Sequence, residues 1–233
     1  MKQLVLGFAP PPPTLENFVP GRNRELLAAL NALANRAGNE RFIYLWGTDG
    51  SGRSHLLRAV TDAANRNGRQ TAWFDANAHA FDAADDAFCA VDDVQLLGAA
   101  AQIALFGLHN RLHGGAGALI VSGNTAPAQL QLRADLVTRL ASGLVYQVHG
   151  LDDEEKSVAL RDHADARGFK LRQDVADYLL HHTRRDMPTL LAVLDALDRY
   201  SLENRRAITV PLLRELLEAD EGASIESRAI RPR

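Results

Sequence analysis

The segment from Phe42 to Ser54 limits the choice of fold more than any other. Phe42-Ile43-Tyr44-Leu45-Trp46 is a continuous apolar run, and it ends in Gly47-Thr48-Asp49-Gly50-Ser51-Gly52-Arg53-Ser54. A strand with no polar alternation is buried on both faces, as happens in a parallel sheet covered by helices. The octet fits G-x-x-x-x-G-K-[ST], with Arg53 where the pattern has lysine. Glycines let successive backbone N–H groups turn toward one anion, and the helix predicted over 53–67 adds the positive end of its dipole. Gly47, Thr48, Asp49, Gly50, Ser51, Gly52, Arg53 and Ser54 are therefore candidate phosphate ligands of a nucleotide, and the Ser54 hydroxyl is a candidate ligand for Mg²⁺. A glycine-rich turn without a ligand is the plain alternative. Arginine is permanently charged and forked where lysine is a compact point charge. Nucleotide binding should survive that exchange; efficient hydrolysis is the step it puts at risk.

Further apolar runs at 70–75, 87–92, 118–122 and 144–148 read as strands, with helices predicted over 22–37 and 100–113. Five short buried strands joined by helices make a three-layer α/β domain with a parallel sheet. After Gly150 the strand patterns stop. Asp152 followed by Glu155 resembles a capping box that opens a helix to about Ala166, and segments 173–183, 188–204 and 211–219 complete an all-helical lid. The expected organisation is a terminal peptide with a proline tether over 1–13, an α/β base over 14–150, a helical lid over 151–219 and a disordered tail over 220–233. The 233 residues suffice for that without disulfides, and a single cysteine, Cys89, suits a reducing compartment. No apolar stretch approaches a membrane span, so a cytoplasmic protein with no membrane partner is expected. With 26 Lys+Arg against 29 Asp+Glu, the net charge of −3 argues against a dedicated, strongly basic nucleic-acid binder.

Phe88-Cys89-Ala90-Val91-Asp92-Asp93 is an apolar run ending in two aspartates. Some forty residues after a phosphate loop, such an ending places Asp92 as a ligand of Mg²⁺ and Asp93 as the group that positions an attacking water. Asp93 is shorter than the glutamate of most hydrolytic relatives, which points to slow turnover. Asn124, at the tip of the strand over 118–122, could sense a phosphate or merely occupy a turn. His109 and His113 stand four apart on a predicted helix without a third ligand, and read as histidines of a polar face.

In this order these elements resemble the AAA+ superfamily, its DnaA-like branch, and within it the Hda family of regulatory inactivators. The resemblance runs from Gln3 to about Ala219. It rests on Gln3-Leu4-Val5-Leu6-Gly7-Phe8, Asn17-Phe18-Val19-Pro20-Gly21, Tyr44-Leu45-Trp46-Gly47, Gly50-Ser51-Gly52-Arg53-Ser54-His55-Leu56-Leu57, Val91-Asp92-Asp93, Leu136-Val137-Thr138-Arg139-Leu140 and Ala166-Arg167-Gly168-Phe169. The Gly-Arg-Ser ending of the loop is itself similar to that family. The resemblance implies a P-loop AAA+ base with a lid, and adds Phe18, Pro20 and His55 to the nucleotide contacts. The nucleotide it implies is ADP, with ATP or another nucleoside diphosphate left open, together with Mg²⁺. It makes Gln3, Leu4, Leu6 and Phe8 a peptide for the β sliding clamp of DNA polymerase III, which an ordinary edge strand would also explain in isolation. It makes Arg139 an arginine finger acting in trans on ATP bound to DnaA, where position alone would suggest a solvated surface arginine. Pro188 stands where the family's lid has a sensor arginine, so Arg185, or Arg184, is the candidate replacement. The implied partners are DnaA and the clamp, with DNA reached mostly through them, nucleoid association by the same route, and a homodimer as a further assembly. The implied role is negative regulation of replication initiation with weak or no ATPase of its own. An AAA+ helicase loader or transposition helper of the DnaC or IstB kind is the alternative. A stand-alone initiator is not expected, because no helix-turn-helix pattern follows Ala219.

Overall fold

Strand β1 (Phe42–Trp46) is the centre from which the first unit is built. Its alternate side chains point to opposite faces, and both faces are covered. Ile43 and Leu45 pack with Leu26, Leu30, Leu56, Leu57 and Val60, whereas Tyr44 packs with Val91, Leu105, Leu108, Leu119 and Leu136. That two-sided burial is why the run carries no polar alternation. The computed structural model describes the backbone of residues 11–229 and the side chains of residues 11–219. The chain divides between Gly150 and Leu151 into two units.

In the first unit, α1 (Arg24–Ala34) precedes β1, and α2 (Arg53–Arg66) follows it. Then come β2 (Thr71–Phe74), β3 (Phe88–Val91), α3 (Ala99–Gly114), β4 (Ala118–Gly123), α4 (Ala134–Ala141) and β5 (Leu144–Gln147). The five strands are parallel in the order β2-β3-β4-β1-β5. Every residue of β3 and β4 is buried, while the edge strands β2 and β5 are only partly so. This is the expected five-stranded, three-layer arrangement.

Helix α1 is shorter than its apolar pattern predicted. Asn23 is held out of the helix because its side chain donates to the His149 carbonyl (2.8 Å) and accepts from the His149 N–H (2.8 Å). At the other end Arg36 adopts a left-handed φ of 54°, so the helix closes at Ala34. The reading of His109 as a polar-face residue is corrected. His109 is buried on α3 between the Phe42 ring (centroids 4.5 Å apart) and the His113 ring (6.1 Å).

The second unit is all-helical: α5 (Asp153–Ala166), α6 (Gln173–His182), α7 (Met187–Asn204) and α8 (Val210–Ala229). Asp152 accepts from the Glu155 N–H and Glu155 accepts from the Asp152 N–H, which completes the capping box. Leu160, Val175, Leu179, Leu194, Leu197, Leu212 and Leu216 form the core of this unit. The tail expected from residue 220 is helical to Ala229 as part of α8, a stretch whose Glu and Ala content favours helix continuation. Among the described residues no helix is long and apolar enough to cross a membrane.

Candidate nucleotide site

The tips of β1, β3 and β4 meet because their registers are fixed by parallel pairing. Trp46 aligns with Gly123, and Val91 with Val121, so Gly47, Asp92, Ser122 and Gly123 emerge at one end of the sheet. Ser122 is fully buried and joins the two aspartates' strand to its neighbour. Its hydroxyl donates to Asp92 Oδ1 (2.5 Å) and accepts from the Asp93 N–H (2.9 Å). Asp93 has a left-handed φ of 52°, an uncommon conformation for a residue with a side chain, and it turns the chain sharply after β3. Gln95 then donates to Asp93 Oδ1 (3.0 Å) and accepts from the Asn124 N–H (3.2 Å). Sequence reasoning named Asp92, Asp93 and Asn124 but passed over Ser122 and Gln95. A single buried polar residue closing the apolar run of β4 was the available signal for Ser122.

Residues Gly47 to Ser54 wrap from the end of β1 into the first turn of α2. Gly52 is the N-cap of α2, with φ of 101° and no side-chain cap, so the helix start is left to its backbone N–H groups. A side chain at Gly52 would also collide with Phe18, whose ring lies 2.7 Å from the ideal Cβ position. Thr48, Asp49 and Gly50 are exposed, Ser51 is buried, and Ser54 is half-buried. The Thr48 carbonyl accepts from the Ser51 N–H (3.1 Å), which closes the turn of the loop.

Arg53 is the best-anchored side chain of the loop. Its Nη1 donates to the carbonyls of Gly47 (2.8 Å) and Gly123 (2.5 Å), the tips of β1 and β4. Its Nη2 donates to Asp49 Oδ1 (3.1 Å) and lies 3.5 Å from Asp93 Oδ1. The guanidinium is 8% exposed, whereas Asp49 is almost fully exposed and contributes little as an ion partner. The bonds to two strand tips and to Asp93 are the ones that fix it.

His55 is turned to the N-terminal segment: a ring nitrogen faces the Thr14 carbonyl (3.1 Å), and Phe18 lies 5.6 Å from its ring. Burial holds its pKa below the usual imidazole range. Pro20 is exposed and its carbonyl accepts from the Asn23 N–H (2.7 Å). The donors available to Mg²⁺ are the Ser54 hydroxyl and Asp92, one of whose oxygens is already engaged by Ser122. Among the described residues no group of three or more His, Cys, Asp or Glu side chains is arranged to hold a metal ion. That donor set suits an ion brought in by the nucleotide's phosphates rather than a resident one.

Arg139 lies in the last turn of α4, exposed, with its guanidinium 5.8 Å from the Phe106 ring centre. Among the described residues no ion pair holds it. In the second unit Asp186 caps α7 by accepting from the Thr189 N–H (3.0 Å), with Pro188 in the first turn. Arg185 is exposed and 3.7 Å from Asp153, and Arg184 is 3.6 Å from Asp186. Gln3, Leu4, Leu6 and Phe8 lie outside the described residues.

Residues 153–217 match the family described as Hda, lid domain. Among solved structures, AMPPCP-bound DnaA from Aquifex aeolicus aligns over 83% of this chain and 67% of its own, at 23% identity and a TM-score of 0.66. Domain III of the Thermotoga maritima replication initiation protein DnaA aligns over 89% of this chain and 96% of its own, at 20% identity and a TM-score of 0.65. Residues 153–217 are thus similar to an Hda lid domain, and the chain as a whole shares the fold of the DnaA structures. A Thermotoga maritima RuvB shares the fold more distantly, at 12% identity and a TM-score of 0.61 over 89% of this chain and 72% of its own. At these identities the structural matches establish the fold, and the lid match concerns residues 153–217.

Proposed function

We propose that this Hda-like protein is a nucleotide-bound regulator that switches off DnaA. The lid family and the DnaA-type fold support a DnaA-related regulator of replication. On this reading Gly47 to Ser54 cradle the phosphates of ADP, with Phe18, Pro20, His55 and Asn124 as further contacts. Ser54 and Asp92 would meet a magnesium ion carried by the nucleotide, which would offset phosphate charge there. Gln3, Leu4, Leu6 and Phe8 dock on the β sliding clamp, and so bring the protein to DNA and to DnaA.

The observation that carries the proposal is the contrast between two arginines. Arg53 is immobilised in the chain's own loop and pairs with Asp93, the carboxylate that would have to position water. A carboxylate already engaged by Arg53 and Gln95 is not free to orient a water, which favours little intrinsic hydrolysis. Arg139 is exposed and without a carboxylate partner among the described residues, a state suited to reaching the phosphates of a neighbouring molecule. An arginine delivered in this way stabilises the charge of phosphoryl transfer. The test is DnaA-dependent ATP hydrolysis with the DNA-loaded clamp present. Arg139→Ala should lower the stimulated rate by roughly a thousandfold, and Gln3→Ala with Leu4→Ala should abolish clamp pull-down. An unchanged rate with Arg139→Ala would refute the mechanism.

A further inference from the structure

We propose that Gln95 is a positioning residue that brakes turnover at this site, by holding the Asp93 carboxylate against Arg53 instead of leaving it to orient water for attack on ATP. The inference rests on the nucleotide reading above and names the residue that regulates that same site. It starts from a closed circuit of contacts. Gln95 Nε2 donates to Asp93 Oδ1 (3.0 Å), and the same oxygen lies 3.5 Å from Arg53 Nη2. Arg53 Nη1 donates to the Gly123 carbonyl (2.5 Å), and the N–H of the next residue, Asn124, donates to Gln95 Oε1 (3.2 Å). The circuit therefore runs from the end of β3 to the tip of β4 and back through the phosphate loop.

An amide is the side chain that closes it. One partner of Gln95 is a carboxylate, which needs a donor, and the other is an N–H, which needs an acceptor. Those partners fix which end of the amide is which. Gln95 is itself held in place, because Val94 and Leu97 of the same short turn are buried. Asp93 is fixed at its backbone as well. Its N–H donates to Ser122 Oγ (2.9 Å), and its left-handed φ of 52° is a conformation kept only where the surroundings over-determine it. Hydrolysis of ATP joins a water oxygen to the γ-phosphorus and breaks the bond to the β-phosphate's bridging oxygen, releasing ADP, phosphate and a proton. The group that orients this water must turn toward it. For Asp93 that turn costs two contacts at Oδ1, of which the Gln95 bond is the shorter.

Removing the amide should release the brake. Single-turnover hydrolysis of ATP by the full chain, with magnesium and without DnaA or the clamp, reads this directly. Gln95→Leu introduces no hydrolytic group and should raise the rate constant about tenfold, with ATP affinity within about threefold of wild type. Adding Asp93→Asn should return the rate to the wild-type level, a dependence that loosened packing alone would not produce. Gln95→Met carries the same expectation and serves where Gln95→Leu fails to fold. A rate that stays level or falls in a variant that binds ATP overturns the brake and leaves the nucleotide reading standing. A gain that survives Asp93→Asn overturns it too. Absence of ATP binding by the wild type overturns the nucleotide reading and this inference with it.

Discussion

His109 shows how far one side chain can depart from its pattern. It stands four residues from His113 on a helix, a spacing that suggests an exposed pair, yet it is only 2% exposed. Among the described residues neither ring nitrogen has a hydrogen-bond partner, and the rings of Phe42 and His113 lie against it. Burial, with the nearby positive charges of Arg139 and His113 adding to it, holds its pKa down to about 4. The folded value is below the ordinary 6.5, so the folded protein favours the neutral ring. Stability is complete above pH 6.5 and declines as pH falls toward 4, by about 3 kcal/mol in total. Denaturant melts of wild type and His109→Leu across that range should show the variant losing less stability on acidification. Parallel curves would mean that the ring is not held neutral. Arg53 gives the same lesson with the opposite outcome: its odd place in the loop motif is visible in sequence, and its four acceptors are not.

At the scale of elements, the helix ends reflect local chemistry that sequence exposes well. Asp152 and Glu155 were legible as a capping box because both halves of the exchange lie within three residues. Asp152→Ala should cost about 1 kcal/mol and raise hydrogen exchange in the first turn of α5. No change in that turn would mean the box contributes nothing. The start of α1 was misjudged because Asn23 is claimed by His149, more than a hundred residues away, and no local pattern records that bond. The strands were read with nearly correct ends, since β1, β3 and β4 owe their apolar runs to burial on both faces.

At the scale of the whole molecule, each unit closes a core of its own. Leu194 is fully buried among the lid helices, in a cluster that contains no residue of the α/β unit. Leu194→Ala should cost the lid about 2 to 5 kcal/mol. Hydrogen exchange should show the loss in α5 to α8 while β1, β3 and β4 keep their protection. Equal loss in the sheet would show that the two units unfold as one.

The sequence alone determined the phosphate loop, the five-stranded parallel sheet, the helical second unit and the residues gathered near Gly47 to Ser54. These depend on short-range signals: apolar runs, glycine spacing and caps, each contained in a few consecutive positions. Only the tertiary structure decided what those residues do to one another. Ser122 lies thirty positions from Asp92, and Gly123 seventy from Arg53. Strand register brings such partners together, and register is a property of the packed sheet that no local pattern encodes.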